Sequence, residues 1–292
     1  MNPQALSSHA VGRLRVLFSS QSLCLLQHRR SLVFGRILRE LEARIDEFSM
    51  QGLATVLWAC AVQKHKLGSL PAILDHIRKD RTPSELSPRA TSGLAWSIVS
   101  LNRTPAVAPF LLWLADSCLV PHALRFGPQD VSNTLWAFAT ANIKHKLLFA
   151  ALGKTTMQGV SDYSPQSLAN VAWACAKLRL EDRTDVLQAL VDEATKRDLH
   201  SWKPQSLVTL LWAAVDLGLR PGRLLEAVSS QAQTRGHAFN DMDLAQLVPV
   251  LTSGGWETND RANLQLLHAT IEAQIKRRPL PRTNAMLNMP PR

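Results

Sequence analysis

Residues 164–178 read SPQSLANVAWACAKL, and this stretch decides the fold. Ser164 is a good helix N-cap, and Pro165 suits the first helical position, where no amide donor is needed. Counting from Pro165 as position 0, positions 3, 6, 7, 10 and 11 are Leu168, Val171, Ala172, Cys175 and Ala176, and position 14 is Arg179. At 100° per residue these positions span a broad, nearly all-apolar arc. A helix apolar over that much of its girth must pack on two sides. Tyr163, two residues before the anchor, stands where a hydrophobic staple would hold the entering chain.

The stretch recurs. GPQDVSNTLWAFATA (127–141), KPQSLVTLLWAAVDL (203–217), SMQGLATVLWACAVQ (49–63) and SPRATSGLAWSIVSL (87–101) follow one template. Their anchors are Pro128, Pro204, Met50 and Pro88, and a degenerate sixth copy, FNDMDLAQLVPVL (239–251), is anchored at Asp241. In chain order the anchors lie 38, 40, 37, 39 and 37 residues apart. Position 8 is tryptophan in the first five copies: Trp58, Trp96, Trp136, Trp173 and Trp212. The staple position is Phe48, Leu86, Phe126, Tyr163, Trp202 or Phe239. A second helical pattern follows in each copy, for example over 185–197 and 223–233. Each unit therefore reads as a helix–turn–helix pair. Stacked pairs predict an all-α chain, an α-solenoid of five good pairs and a degenerate C-terminal cap wound into a right-handed superhelix over residues 40–278.

Charge divides the chain differently. The formal net charge is +10, but residues 1–39 hold six Arg and no acid, and residues 276–292 hold five basic residues and no acid. The body keeps 33 − 11 = 22 basic residues against 23 acidic ones, a net of −1. Affinity for nucleic acid must then come from local patches or from the ends. Residues 1–39, with Arg13, Arg15, Arg29, Arg30, Arg36, Arg39 and six serines, read either as an organelle transit peptide or as a decayed repeat anchored at Pro3. Residues 279–292 read as a disordered Pro-rich tail. No uncharged apolar run reaches membrane-spanning length, and no membrane partner is expected. The cysteines form no CxxC pair, and Cys60 and Cys175 share a repeat position inside apolar helices, as buried free thiols would.

The PQ-x-[LV]-x-N-x-x-W-A core and its ~38-residue unit resemble the octotricopeptide repeat family and its FAST-kinase-like organellar relatives, over residues 48–275. The resemblance implies a non-catalytic α-solenoid that binds single-stranded RNA, an organellar mRNA or rRNA, in RNA processing, stability or ribosome assembly. It implies the mitochondrial matrix or the chloroplast stroma, and ribosomal or other ribonucleoprotein proteins as further partners. Many relatives end in a nuclease-like RAP domain. Residues 261–278 read instead as a last helix before the Pro-rich tail, so no enzymatic activity is expected. No catalytic motif, metal-ligand set or cofactor signature appears elsewhere, and no cofactor is expected.

Candidate RNA contacts fall in two sets. Positions 1 and 5 form a polar stripe beside the apolar arc: Gln51/Thr55, Arg89/Gly93, Gln129/Asn133, Gln166/Asn170 and Gln205/Thr209. Positions 2 and 9 beside it are mostly small, as a groove for a linear ligand would need. Amides present donors and acceptors to base edges, or else bond across neighbouring repeats as structural ladders. The second set is basic and follows the first helix: Lys64, Lys66, Arg103, Lys144, Lys146, Lys177, Arg179 and Arg220, with Arg223 beyond. These residues suit phosphate contacts or simply complement helix C-termini. The position-8 tryptophans read as packing between repeats, with base stacking as the alternative. Lys64–Leu67 and Lys144–Leu147 share the tetrapeptide KHKL, which reads as repeat inheritance rather than a pair of metal sites. The rival to RNA binding is a protein-docking scaffold of the tetratricopeptide type.

Overall fold

The computed structural model describes residues 32–80 and 86–277, and among these every regular element is helical. The chain divides into two compact units, Met1–His122 and Ala123–Arg292. The first holds α1 (Leu32–Ala43), α2 (Met50–Val62), α3 (Leu70–Asp80), α4 (Pro88–Leu101) and α5 (Ala108–Leu114), which runs on into a π turn over Ala115–Leu119. Here α2 packs along α4, and α3 packs on α5. The second unit holds α6 (Pro128–Thr140), α7 (Lys146–Gln158), α8 (Pro165–Lys177), α9 (Thr184–Thr195), α10 (Pro204–Asp216), α11 (Gly222–Arg235), α12 (Asp241–Thr252) and α13 (Arg261–Arg277). Its first helices α6, α8, α10 and α12 pack side by side in chain order. The second helices pack behind them, α7 on α9 and α11 on α13.

Every sequence anchor is the first residue of its helix: Met50, Pro88, Pro128, Pro165, Pro204 and Asp241. The caps explain why. Ser49, Ser87 and Ser164 each accept a hydrogen bond from the backbone N–H three residues on, at 3.1–3.2 Å. Asn240 accepts from Met242 and Asp243, and Asp243 in return accepts the Asn240 N–H at 2.9 Å, a full capping box. Gly127 has no side chain to offer, and Asp130 compensates by accepting the Gly127 N–H at 3.3 Å. Phe126, Tyr163, Trp202 and Phe239 are buried at the staple position.

The helices also stop at a common place that the sequence reading misses. Position 14 lies in the left-handed region in five of six copies: Lys64 (φ 51°), Asn142 (φ 56°), Arg179 (φ 49°), Gly218 (φ 93°) and Gly255 (φ 82°). In four of them the next N–H reaches back to the carbonyl five residues earlier: His65 to Cys60, Ile143 to Phe138, Leu180 to Cys175 and Leu219 to Ala214, at 2.8–3.0 Å. This is a Schellman stop, which satisfies carbonyls that a helix end leaves orphaned. Arg179 therefore lies beyond its helix and is no part of the apolar arc. The Asn102 end of α4 is extended instead (φ −145°).

Linking turns are tied to the following second helix. Thr155 donates to the Ala123 carbonyl at 3.1 Å. Gln231, at the same repeat position, donates to the carbonyls of Leu199, His200 and Trp202 at 3.1–3.2 Å. Arg197 does the same work in the copy between, donating to Tyr163 and Ser161 carbonyls at 2.6 and 2.8 Å. The boundary drawn after residue 39 falls inside α1, which begins at Leu32. The decayed repeat anchored at Pro3, the greater part of the Arg-rich segment and the tail 279–292 lie outside the described residues.

Candidate nucleic-acid interface

Positions 1, 5, 8 and 12 of the first helices fall within about 60° of one another on a helical wheel and form the more open side, though not every residue on it is open. Position 1 is the most open. Gln51, Arg89, Gln129 and Gln166 are exposed, and Gln205 is half-buried. The amides are held along the helix: Gln129 Nε2 donates to Asn133 Oδ1 at 2.9 Å, and Gln51 Nε2 to Thr55 Oγ1 at 3.5 Å.

Position 5 departs from the expected open column. Thr55, Gly93 and Asn133 are half-buried, but Asn170 and Thr209 are buried, at 8% and 1% exposure. The cause is the close side-by-side packing of α8, α10 and α12. Thr209 Oγ1 donates to Gln246 Oε1 of the next repeat at 3.3 Å, so at this seam the amide is structural. Asn170 Oδ1 is buried without a protein partner. Positions 2 and 9 are no groove either. Ala90, Ser97, Ser167, Ala174, Ser206 and Ala213 are all buried, their small size letting neighbouring helices approach.

The tryptophans divide. Trp136 and Trp173 are buried, at 5% and 4% exposure. Trp58, Trp96 and Trp212 are half-buried on the open face. Thus position 8 is buried in the third and fourth copies and shows part of its ring in the first, second and fifth.

The basic set separates in the same way. Lys64, Lys66, Arg103, Lys144, Lys146 and Arg179 are exposed. Lys177 is half-buried at position 12, on the open face. Arg220 is engaged by the fold: it donates to the carbonyls of Gly254 and Leu219 at 2.7 Å and of Val215 at 3.1 Å. Its guanidinium also lies 5.6 Å from the Trp256 ring centre. It stitches the fifth copy to the sixth, with Nε and Nη1 taken up by backbone carbonyls. The two KHKL tetrapeptides are out of register. Lys64 occupies the left-handed turn, whereas His145 is the N-cap of α7, its Nδ1 accepting from the Leu148 N–H at 3.2 Å.

Lys144, His145, Lys146 and Phe149 of the third copy and Arg179, Leu180, Asp182 and Arg183 of the fourth line a cleft of about 220 Å³. Its one lining acid, Asp182, lies 3.6 Å from Arg183. Asp216 is within reach of Arg179; burial raises its carboxyl pKa, against the pull of that guanidinium. Cys60, Cys118 and Cys175 are buried free thiols. Burial pushes them up to about 12, 11 and 12, so none is a ready thiolate. Among the described residues no group of three or more His, Cys, Asp or Glu is placed to hold a metal ion. No described helix is long and apolar enough to cross a membrane. No protein-family model matches the chain, and no curated protein is significantly similar to it in sequence.

Proposed function

We propose that this chain is a non-catalytic, single-stranded RNA-binding α-solenoid of the octotricopeptide type, its repeats wound into a right-handed superhelix. The observation that carries the reading is the open face of the first helices, where one polar side chain recurs at position 1: Gln51, Arg89, Gln129, Gln166 and Gln205. Amides and an Arg at one fixed position per repeat can meet successive bases of an extended strand. Exposed Lys64, Lys66, Arg103, Lys144, Lys146 and Arg179 follow the ends of the same helices and supply phosphate contacts. Partly exposed Trp58, Trp96 and Trp212 offer flat surfaces for bases beside them.

The site of action in this proposal is the mitochondrial matrix or the chloroplast stroma, on mRNA or rRNA, in company with ribonucleoprotein proteins. The Arg-rich, acid-free residues 1–39 support an organelle address. Fusing these residues to a fluorescent reporter tests that address directly: organellar signal is expected, and a diffuse cytosolic signal contradicts it. RNA copurifying after crosslinking in cells tests the partner. Enriched organellar transcripts are expected; protein partners alone would favour the docking scaffold.

A further inference from the structure

The cations that follow the first helices are not evenly useful. At the seam between the fifth and sixth copies Arg220 is bonded to three carbonyls. At the seam between the third and fourth copies, four cations converge on one cleft: Lys144, Lys146, Arg179 and Arg183. Asp182 offsets part of this charge through Arg183. The remaining lining is apolar, Phe149 and Leu180, plus His145. Because His145 Nδ1 accepts the Leu148 N–H, its ring proton sits on Nε2, which makes that nitrogen a donor. At about 220 Å³ the cleft is below the usual size of a cofactor pocket, about 300 Å³ or more. It suits a small, charge-dense group.

The backbone adds a second observation. A Schellman turn favours glycine at its left-handed residue, and the fifth and sixth copies have Gly218 and Gly255 there. The fourth copy keeps Arg179 at φ 49°, a conformation that costs a residue with a Cβ. Lys64 and Asn142 take the same conformation in the first and third copies, so the turn by itself does not single out Arg179; its place in the lining of the cleft does.

We infer that this cleft is a phosphate-monoester site, which on the RNA-binding reading receives the 5′-terminal phosphate of a bound strand. A phosphodiester carries one negative charge, whereas a monoester carries about −1.5 to −2 at neutral pH. A strand held only by its backbone would call for similar cations at every seam. Four cations converging on one small cleft fit an end group better. Arginine forks and a histidine N–H suit the several oxygens of such a group.

The test uses the full chain, 5′-phosphoryl and 5′-hydroxyl oligouridylate of equal length, and uridine monophosphate beside uridine, all at fixed salt. The phosphorylated RNA is expected to bind about tenfold more tightly than its hydroxyl twin, from the added charge in a partly enclosed cationic site. Arg179→Gly and Lys144→Gln should each draw that ratio toward one. Lys154→Gln, an exposed cation of α7 outside the cleft, should leave the ratio in place. Arg179→Gly puts in the residue that two other copies already carry, so loss of fold does not cloud it. Equal affinity for the two RNA ends overturns the end-group site and leaves RNA binding standing. Should neither RNA bind, the RNA reading fails, but monophosphate binding over uridine that Arg179→Gly abolishes upholds the cleft. No preference for phosphate in either pair overturns the inference.

Discussion

Thr209 Oγ1 donates to Gln246 Oε1 at 3.3 Å, and both residues stand at position 5 of consecutive repeats. The bond joins α10 to α12 across a seam where Thr209 is only 1% exposed. It turns one rung of the polar stripe into a fastener. Thr209→Val should therefore destabilise the second unit by about 0.5–1.5 kcal/mol, since it leaves Gln246 without that donor. Urea denaturation measures this. RNA affinity should not move with it; a parallel loss of affinity with stability unchanged would return position 5 to the binding face.

Trp173, on α8, is buried at 4% exposure. Trp173→Ala should cost about 3–5 kcal/mol by opening a cavity. Trp212, half-buried at the same position one copy on, should cost less on the same change. A cost below about 1 kcal/mol for Trp173→Ala, well short of a buried aromatic's usual value, would show that the indole does not hold the repeats together.

The Schellman turns make a prediction of opposite sign. Lys64→Gly and Arg179→Gly remove a Cβ from a left-handed residue and should stabilise by up to about 1 kcal/mol, less the extra freedom glycine gains on unfolding. Gly218→Ala, at φ 93°, should destabilise by about 1 kcal/mol or more. Thermal melts of the three variants, compared with the parent, check both signs.

Asp243 supplies a pH dependence. Burial raises its carboxyl from 3.8 to about 6, partly opposed by the Asn240 N–H that it accepts. With the folded pKa above the unfolded one, the native state holds the proton more tightly. Its stabilising contribution is then fully present below about 4 and lost as pH rises to about 6. Asp243→Asn should flatten this window and leave the variant more stable than the parent at pH 7. An unchanged pH profile would mean the carboxyl is not buried at the seam.

The repeat was legible because its signals are local. A serine or asparagine cap in four copies, a proline at the first position in four and a large apolar residue two before the anchor in all six mark the helix starts, and all six anchors hold. The ends were less legible. Lys64 and Arg179 do not announce a left-handed residue as Gly218 does, and only the backbone shows that all three close the same turn. The polar stripe was half legible. A helical wheel places Gln129, Gln166, Asn170 and Thr209 on one side, but helix spacing decides burial, and close packing of α8, α10 and α12 covers Asn170 and Thr209. The structural bonds of Arg220 were not legible for a similar reason: its carbonyl partners include Gly254, 34 residues away. The division of the chain after His122 left no mark in the repeat spacing.

The central claim is that RNA lies along the open face of the first helices and the basic turns that follow. The most direct measurement is ultraviolet crosslinking of the full chain to single-stranded RNA, with the modified residues mapped by mass spectrometry. Crosslinks are predicted in the peptides that carry Gln129, Gln166 and Gln205 and in those that carry Lys144, Lys146 and Arg179. Replacing Gln129, Gln166 and Gln205 with alanine should remove the first group, with a cost in sequence preference of about 1–3 kcal/mol per lost base contact at most. Crosslinks confined to other surfaces, or none under conditions where a known RNA binder crosslinks, would contradict the account.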